Sequence, residues 1–91
     1  RILRTAALLH KRRREYEEAA QLWQRLLVLA EDDLMAHEEL AKHYEHRRKD
    51  FKEAGRITKR ALAIALRTRP AKVPDLEYRL NRITRRQETV S

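Results

Sequence analysis

KRRREYEEA (Lys11–Ala19) and HRRKDFKEA (His46–Ala54) are two versions of one motif, in which cations precede an aromatic residue and then Glu-Ala. The copies lie 35 residues apart, and residues 6–30 align with residues 41–65 without a gap. A period of this length in a chain rich in helix formers indicates stacked helix pairs. The identical positions are Ala6/Ala41, Arg12/Arg47, Arg13/Arg48, Glu18/Glu53, Ala19/Ala54, Arg25/Arg60, Leu27/Leu62 and Ala30/Ala65.

Composition favours the same fold class. The 91 residues suffice for one small domain, and they include one Gly and two Pro. Ala, Leu, Arg, Glu and Lys dominate, which predicts an all-α protein. With no cysteine, disulfides, zinc-cysteine sites and thiol catalysis are excluded. We expect a cytoplasmic protein, because neither a membrane-spanning apolar run nor a signal peptide is visible.

Helix boundaries follow from capping and proline signals. Asp32 or Asp33 can cap the third helix and Asp50 the fourth, while Pro70 and Pro74 mark a break. The predicted helices cover residues 2–13, 15–30, 33–47, 50–68 and 74–86. The predicted organisation is a first helix pair over 1–31, a second pair over 32–69, a break over 70–73, a capping helix over 74–86 and a frayed tail over 87–91.

Apolar spacing predicts which helix faces form the core. Leu22, Leu26 and Leu29 recur at helical intervals, with Trp23 widening the stripe. The corresponding stripes of the later helices are Ile57, Ala61 and Ile64; Leu40, Ala41 and Tyr44; and Leu76, Leu80 and Ile83. We expect the cations of the last helix to lie towards its other face, namely Arg79, Arg82 and Arg86.

The second unit resembles a tetratricopeptide repeat. Leu40-Ala41, Tyr44, Ala54 and Ala61 occupy the family's pattern positions, and KDFKEA matches its Gly-Asp-Tyr-x-x-Ala turn with Lys49 replacing Gly. The resemblance covers about residues 3–69 and is weaker in the first unit. It implies two antiparallel helix pairs plus a capping helix, as a fragment of a right-handed α-solenoid. It also implies a peptide-binding groove, to which the second unit would contribute Met35, Glu38, Lys42, Glu45 and His46.

A second resemblance concerns LAKHYEHRRKDFKEA and the later LEYRLNRITRRQ. Together they are similar to the C-terminal helical tail of some bacterial proteins that carry a ribonuclease-H-like exonuclease domain. This similarity implies a piece of a longer protein, with an accessory role beside a nuclease domain absent from this chain.

The residues do not predict catalysis by this chain. His43, His46 and Asp50 share a helix side, but the cations after His46 would repel a metal ion. Adjacent acids such as Glu17-Glu18 point in different directions on a helix, and the single glycine, Gly55, excludes a glycine-rich phosphate loop. We therefore predict no catalytic residue, no metal site and no cofactor.

Charge is the strongest pointer to a partner. The net charge is +8; residues 1–53 hold 12 Lys/Arg and 11 Asp/Glu, whereas residues 54–91 hold 10 and 3. Such a balance suggests a polyanion or an acidic protein surface. The predicted basic rim comprises Lys11, Arg12, Arg13, Arg14, Arg47, Arg48, Lys49, Arg56, Lys59 and Arg60.

Two functional hypotheses follow. The first is a non-catalytic interaction module that binds a protein or peptide or scaffolds an assembly, with self-association through repeat stacking as one form of it. The alternative is a basic module that binds the DNA or RNA backbone without sequence preference, since no aromatic residues alternate with the cations for base stacking. A membrane partner is not predicted.

Overall fold

The computed structural model describes residues 2–90, with side chains described for 2–89. This part of the chain contains helices and no strand, which confirms the all-α prediction. None of these helices is both long enough and apolar enough to cross a membrane. The elements are α1 (Ile2–Arg12), α2 (Tyr16–Leu29), α3 (Leu34–His46), α4 (Phe51–Thr68), a 3-10 turn (Pro70–Lys72) and α5 (Val73–Val90).

Two helices begin at the predicted aspartates. The Asp33 carboxylate accepts a hydrogen bond from the Ala36 amide (2.9 Å), and Asp50 accepts one from the Glu53 amide (3.1 Å). Each satisfies an amide that would have no partner within the helix. These caps place the starts of α3 and α4.

The last helix is longer than the sequence predicted. Residues 87–91 were expected to fray, but α5 continues to Val90, and Ser91 lies outside the described residues. Near this end Thr89 donates a side-chain hydrogen bond to the Arg85 carbonyl (2.9 Å). Pro74 lies in the first turn, where its missing amide hydrogen costs no helical hydrogen bond.

Ion pairs show how α1 and α3 are oriented. Arg4, near the start of α1, pairs with Asp33 at the start of α3. Lys11, near the end of α1, pairs with Glu39 further along α3 at 2.8 Å. The two helices therefore run in the same direction.

Ion pairs of α3 with the 3-10 turn and with α5 show that α5 is also parallel to α3. Lys72 pairs with Glu38 at 3.3 Å, and Arg79 pairs with Glu45 at 2.9 Å. Each helix also packs against the next one in the chain. Successive helices therefore alternate in direction, with α1, α3 and α5 parallel to one another.

Trp23 lies at the centre of the main core. Its side chain is 2% exposed and is surrounded mostly by small residues. Because alanines line the facing helices, the helix axes can approach one another around one large indole. The buried residues of this cluster are Ala7, Ala19, Ala20, Trp23, Leu26, Ala36, Leu40, Ala41 and Ile57.

The core continues between α4 and α5 in two smaller clusters. Ile83 packs with Phe51 and Ala54, and Leu76 packs with Ala61 and Ala65. Leu76 and Ile83 of the face predicted for α5 are thus buried, whereas Leu80 is only half-buried.

One predicted core position is wrong. Leu29 is 77% exposed, whereas Ile64, its equivalent in the repeat, is 5% exposed. Leu29 is the last residue of α2. At the level of Ile64, α4 continues for another turn and is covered by the 3-10 turn and α5.

The two cation-rich turns, residues 12–14 and 47–49, share an unusual backbone conformation, and we call them the basic turns. Arg14 and Lys49 are the described non-glycine residues with positive φ, at 63° and 56°, and they lie 35 residues apart. Backbone hydrogen bonds of 2.8 Å close both turns, from Glu15 to His10 and from Asp50 to Tyr44. A side chain is disfavoured in this left-handed region, where glycine is readily accommodated.

Lys49→Gly should therefore stabilise the fold by about 1 kcal/mol, because glycine removes the Cβ strain at positive φ. Lys49→Ala is the matched control, since it removes the same charge but keeps the Cβ. Urea unfolding of both variants measures the difference. An equal gain for both would contradict a backbone origin.

Candidate binding site

A cavity of about 200 Å³ opens between the end of α1, the start of α2 and the second half of α3. Its apolar lining comes from the buried residues Ala19, Ala20 and Trp23 of α2. We call this cavity the Trp23 pocket. The remaining lining residues are Lys11, Tyr16, Glu39, Lys42, His43, His46 and Arg47.

An aromatic–cation contact forms one side of the Trp23 pocket. Tyr16 begins α2, and the Arg47 guanidinium carbon lies 3.7 Å from the centre of its ring. This distance is well within the range of a cation–π interaction. The contact holds the Arg47 charge beside the apolar pocket.

Glu39 connects two lysines of the Trp23 pocket. Its carboxylate lies 2.8 Å from Lys11 Nζ and 3.2 Å from Lys42 Nζ. Burial acts to raise the pKa of Glu39, but hydrogen bonds and charge from the two lysines outweigh it and hold that pKa below its ordinary value. One carboxylate thus forms ion pairs with two ammonium groups. Each lysine side chain is 42% exposed, and its ammonium group has further N–H donors.

The two histidines of the Trp23 pocket favour the neutral form. Burial lowers the pKa of His43; Glu17, whose carboxylate lies 3.3 Å from His43 Nε2, opposes this, and Arg48 reinforces it. Burial also lowers the pKa of His46, and nearby cations add to that effect. At neutral pH the positive charge of the pocket therefore comes from its lysines and Arg47.

The two basic turns flank the Trp23 pocket in the chain, because Lys11 precedes residues 12–14 and Arg47 begins residues 47–49. All six side chains of these turns are exposed. Arg48 lies 3.5 Å from Glu17, whereas residues 12–14 and Lys49 make no ion pair within the described part of the chain. Lys11 and Arg47 of the predicted basic rim therefore line this cavity, and the other cations of this half adjoin them in the sequence.

The other half of that rim lies on α4. Arg56, Lys59 and Arg60 are exposed there, and none of them lines the Trp23 pocket. Arg56 donates a hydrogen bond to Glu53 through Nε at 2.9 Å. The structure thus divides the predicted rim into two surfaces.

The predicted groove residues are also divided. Lys42 and His46 line the Trp23 pocket, whereas Met35 and Glu38 line a second cavity of about 370 Å³ that also contains the first residues of α3. Glu45 lines neither cavity, because its side chain is buried at 0% exposure.

Glu45 instead holds α5 against α3, which corrects its predicted place on the groove surface. Arg79 donates to Glu45 at 2.9 Å, and Arg82 donates through Nε and Nη2 at 2.7 and 2.9 Å. Burial acts to raise the pKa of Glu45, but the Arg82 hydrogen bond and the two arginine charges keep it below its ordinary value. Arg79 and Arg82 were expected on the polar face of the last helix, yet they lie over α3.

No group of three potential metal ligands gathers within residues 2–90. His43 and His46 approach different carboxylates, those of Glu17 and Glu45. Because each histidine has its own carboxylate partner, His43 and His46 do not converge on one metal position.

No family model, curated protein or solved structure matches this chain. The resemblances to tetratricopeptide repeats and to nuclease-associated tails therefore stay predictions.

The lowered pKa of His43 predicts lower stability in acid. Between its ordinary pKa of 6.5 and its lower folded value, the unfolded chain binds more protons, so the free energy of unfolding falls as the pH falls. His43→Gln should reduce the loss of stability between about pH 7.5 and 5.5, because glutamine does not titrate. Chemical unfolding at several pH values measures it. An unchanged pH dependence in His43→Gln would contradict this origin.

Proposed function

We propose that this chain is a non-catalytic helical-repeat interaction module, and that its Trp23 pocket binds an apolar side chain of an acidic peptide. The observation that carries the proposal is a cavity lined by the apolar residues Ala19, Ala20 and Trp23 and bordered by three cations. These cations are the half-exposed Lys11 and Lys42 and the exposed Arg47. An apolar anchor gains from leaving water, and acidic neighbours in the peptide gain from the cations.

The size of the Trp23 pocket favours a single side chain. Its volume of about 200 Å³ is below the roughly 300–1,000 Å³ typical of sites for small molecules and cofactors. A peptide that inserts one residue there would lay its flanking residues across the rim of Lys11, Lys42 and Arg47. Selectivity would then combine one apolar contact with several charge contacts.

The strained turns support a role for the surrounding charge. Arg14 and Lys49 hold cations at positive φ, where glycine would fold at lower cost. Strained backbone tends to concentrate at functional sites. Both turns keep a cation although its backbone conformation costs stability. This supports a partner that is negatively charged.

We also propose that the helix pairs stack as a tetratricopeptide-like solenoid, with α5 as the cap. The alternating helix directions and the matching turns support this arrangement. So does a repeated contact: Arg47 lies over Tyr16, and Arg86 lies 4.8 Å from the centre of the Phe51 ring, the equivalent aromatic residue.

The binding test uses a short labelled peptide of Glu and Asp with one central Phe, and a second peptide with Ala in its place. Fluorescence anisotropy should show the Phe peptide binding at least about tenfold more tightly, because burying an aromatic side chain contributes about 1.5–3 kcal/mol. Equal affinity of the two peptides would exclude an apolar anchor.

Charge at the Trp23 pocket is tested separately with Lys42→Gln/Arg47→Gln. This variant should lower the affinity for the Phe peptide by about tenfold. The control, Lys52→Gln/Lys59→Gln, removes the same amount of charge from α4 and should change that affinity by less than about twofold. Equal losses in the two variants would show that net charge, and not this pocket, attracts the peptide.

A further inference from the structure

Five cations form a line along the exposed side of α4, and two of them, Arg56 and Arg60, also line a cavity that α4 shares with α2 and α3. They follow one another at helical intervals, so they share one side of the helix, and all are exposed. The opposite side, which includes Phe51, Ile57 and Ile64, is buried. We call these residues the α4 stripe: Lys52, Arg56, Lys59, Arg60 and Arg67.

Most of this charge is not neutralised within the protein. Arg56 pairs with Glu53, and Arg67 lies 3.6 Å from Asp32, but Lys52, Lys59 and Arg60 make no ion pair with any described residue. The sequence contains no acidic residue from 54 to 74.

Some exposed cations outside α4 also lack an ion-pair partner among the described residues. Arg25 of α2, the repeat equivalent of Arg60, is exposed and has no ion-pair partner within residues 2–89, and Arg69 just after α4 is in the same situation. The α4 stripe itself spans about 22 Å along the helix, at 1.5 Å per residue. The α4 stripe is therefore an elongated row of positive charge.

We infer that the α4 stripe binds the phosphodiester backbone of a nucleic acid. A linear array of cations complements a linear array of phosphates, which repeat about every 3.4 Å along each strand of a duplex. Arginine suits this role because its planar guanidinium donates two parallel hydrogen bonds to phosphate.

Other anionic partners fit the α4 stripe less well. A membrane-binding helix presents an apolar face to the lipid, but the apolar face of α4 is buried in the core. A protein partner usually needs aromatic or apolar anchors, and Leu66 is the one large apolar side chain exposed on α4. The remaining attraction is charge, and a phosphate backbone requires little else.

This binding should depend on salt and not on base sequence. Five phosphate contacts correspond to a slope of log affinity against log salt of about −3.5 for a single strand and about −4.5 for a duplex. The probes are labelled thymidine and mixed-sequence single strands of about 20 nucleotides and a duplex of the same length, at about 50 and 200 mM salt.

Lys59→Gln/Arg60→Gln removes two charges from the centre of the α4 stripe. It should lower affinity by about tenfold at the lower salt concentration and make the slope shallower by about 1.5. Arg12→Gln/Arg13→Gln is the matched control, because it removes two exposed, unpaired cations from a basic turn. That control should weaken binding by less than about threefold.

Absence of binding at the lower salt concentration would overturn the inference, and so would equal losses in the stripe variant and its control. Phosphatidylserine vesicles provide the last comparison. If they bind as tightly, with the same sensitivity to Lys59→Gln/Arg60→Gln, the α4 stripe recognises anionic surfaces in general and the nucleic-acid assignment fails. The outcome is independent of peptide binding, since no stripe residue lines the Trp23 pocket.

Discussion

The packing of Trp23 against alanines is the interaction on which the rest of the structure depends. The indole contacts a cluster contributed by α1, α2, α3 and α4, and a buried residue of this size accounts for about 3–5 kcal/mol of stability. The same ring and two of the alanines, Ala19 and Ala20, are also the apolar residues that line the candidate binding site. The fold and the proposed recognition of an apolar anchor therefore share one set of contacts. The small residues let the helices pack closely around one large ring, and a cavity lies beside that ring where α1 ends.

The cations of the protein divide into two groups with different consequences. Arg79 and Arg82 are directed to the buried carboxylate of Glu45, and they attach α5 to α3. A buried carboxylate needs such partners, since removing them would leave an unpaired charge in the core. The exposed cations of the basic turns and the α4 stripe have few internal partners. Their charge remains available to ligands, and the structure places it on two separate surfaces.

Much of the fold could be predicted because its signals are local. The caps at Asp33 and Asp50 lie within one helical turn of the amides they satisfy. The 35-residue repeat is a separate signal, because it predicts from the sequence alone which helices are equivalent. The Glu45 contacts could not be predicted in the same way, because Arg79 and Arg82 lie 34 and 37 residues away. Helical spacing did indicate that Glu45 lies on the buried face of α3, since Glu45 follows the buried Ala41 by four residues. The pocket was missed for a related reason: Tyr16 and Arg47 contact each other in the structure, although they lie far apart in the sequence.

The most direct test of the account is the indole N–H resonance of Trp23, the only tryptophan in the chain. In a nitrogen–proton correlation spectrum, the acidic Phe peptide should shift this resonance in a saturable way, together with amides of Ala19, Ala20 and Lys42. The matching peptide with Ala should shift it far less. A peptide that binds while the Trp23 indole resonance stays unchanged would contradict the central claim, because the apolar anchor would then lie elsewhere.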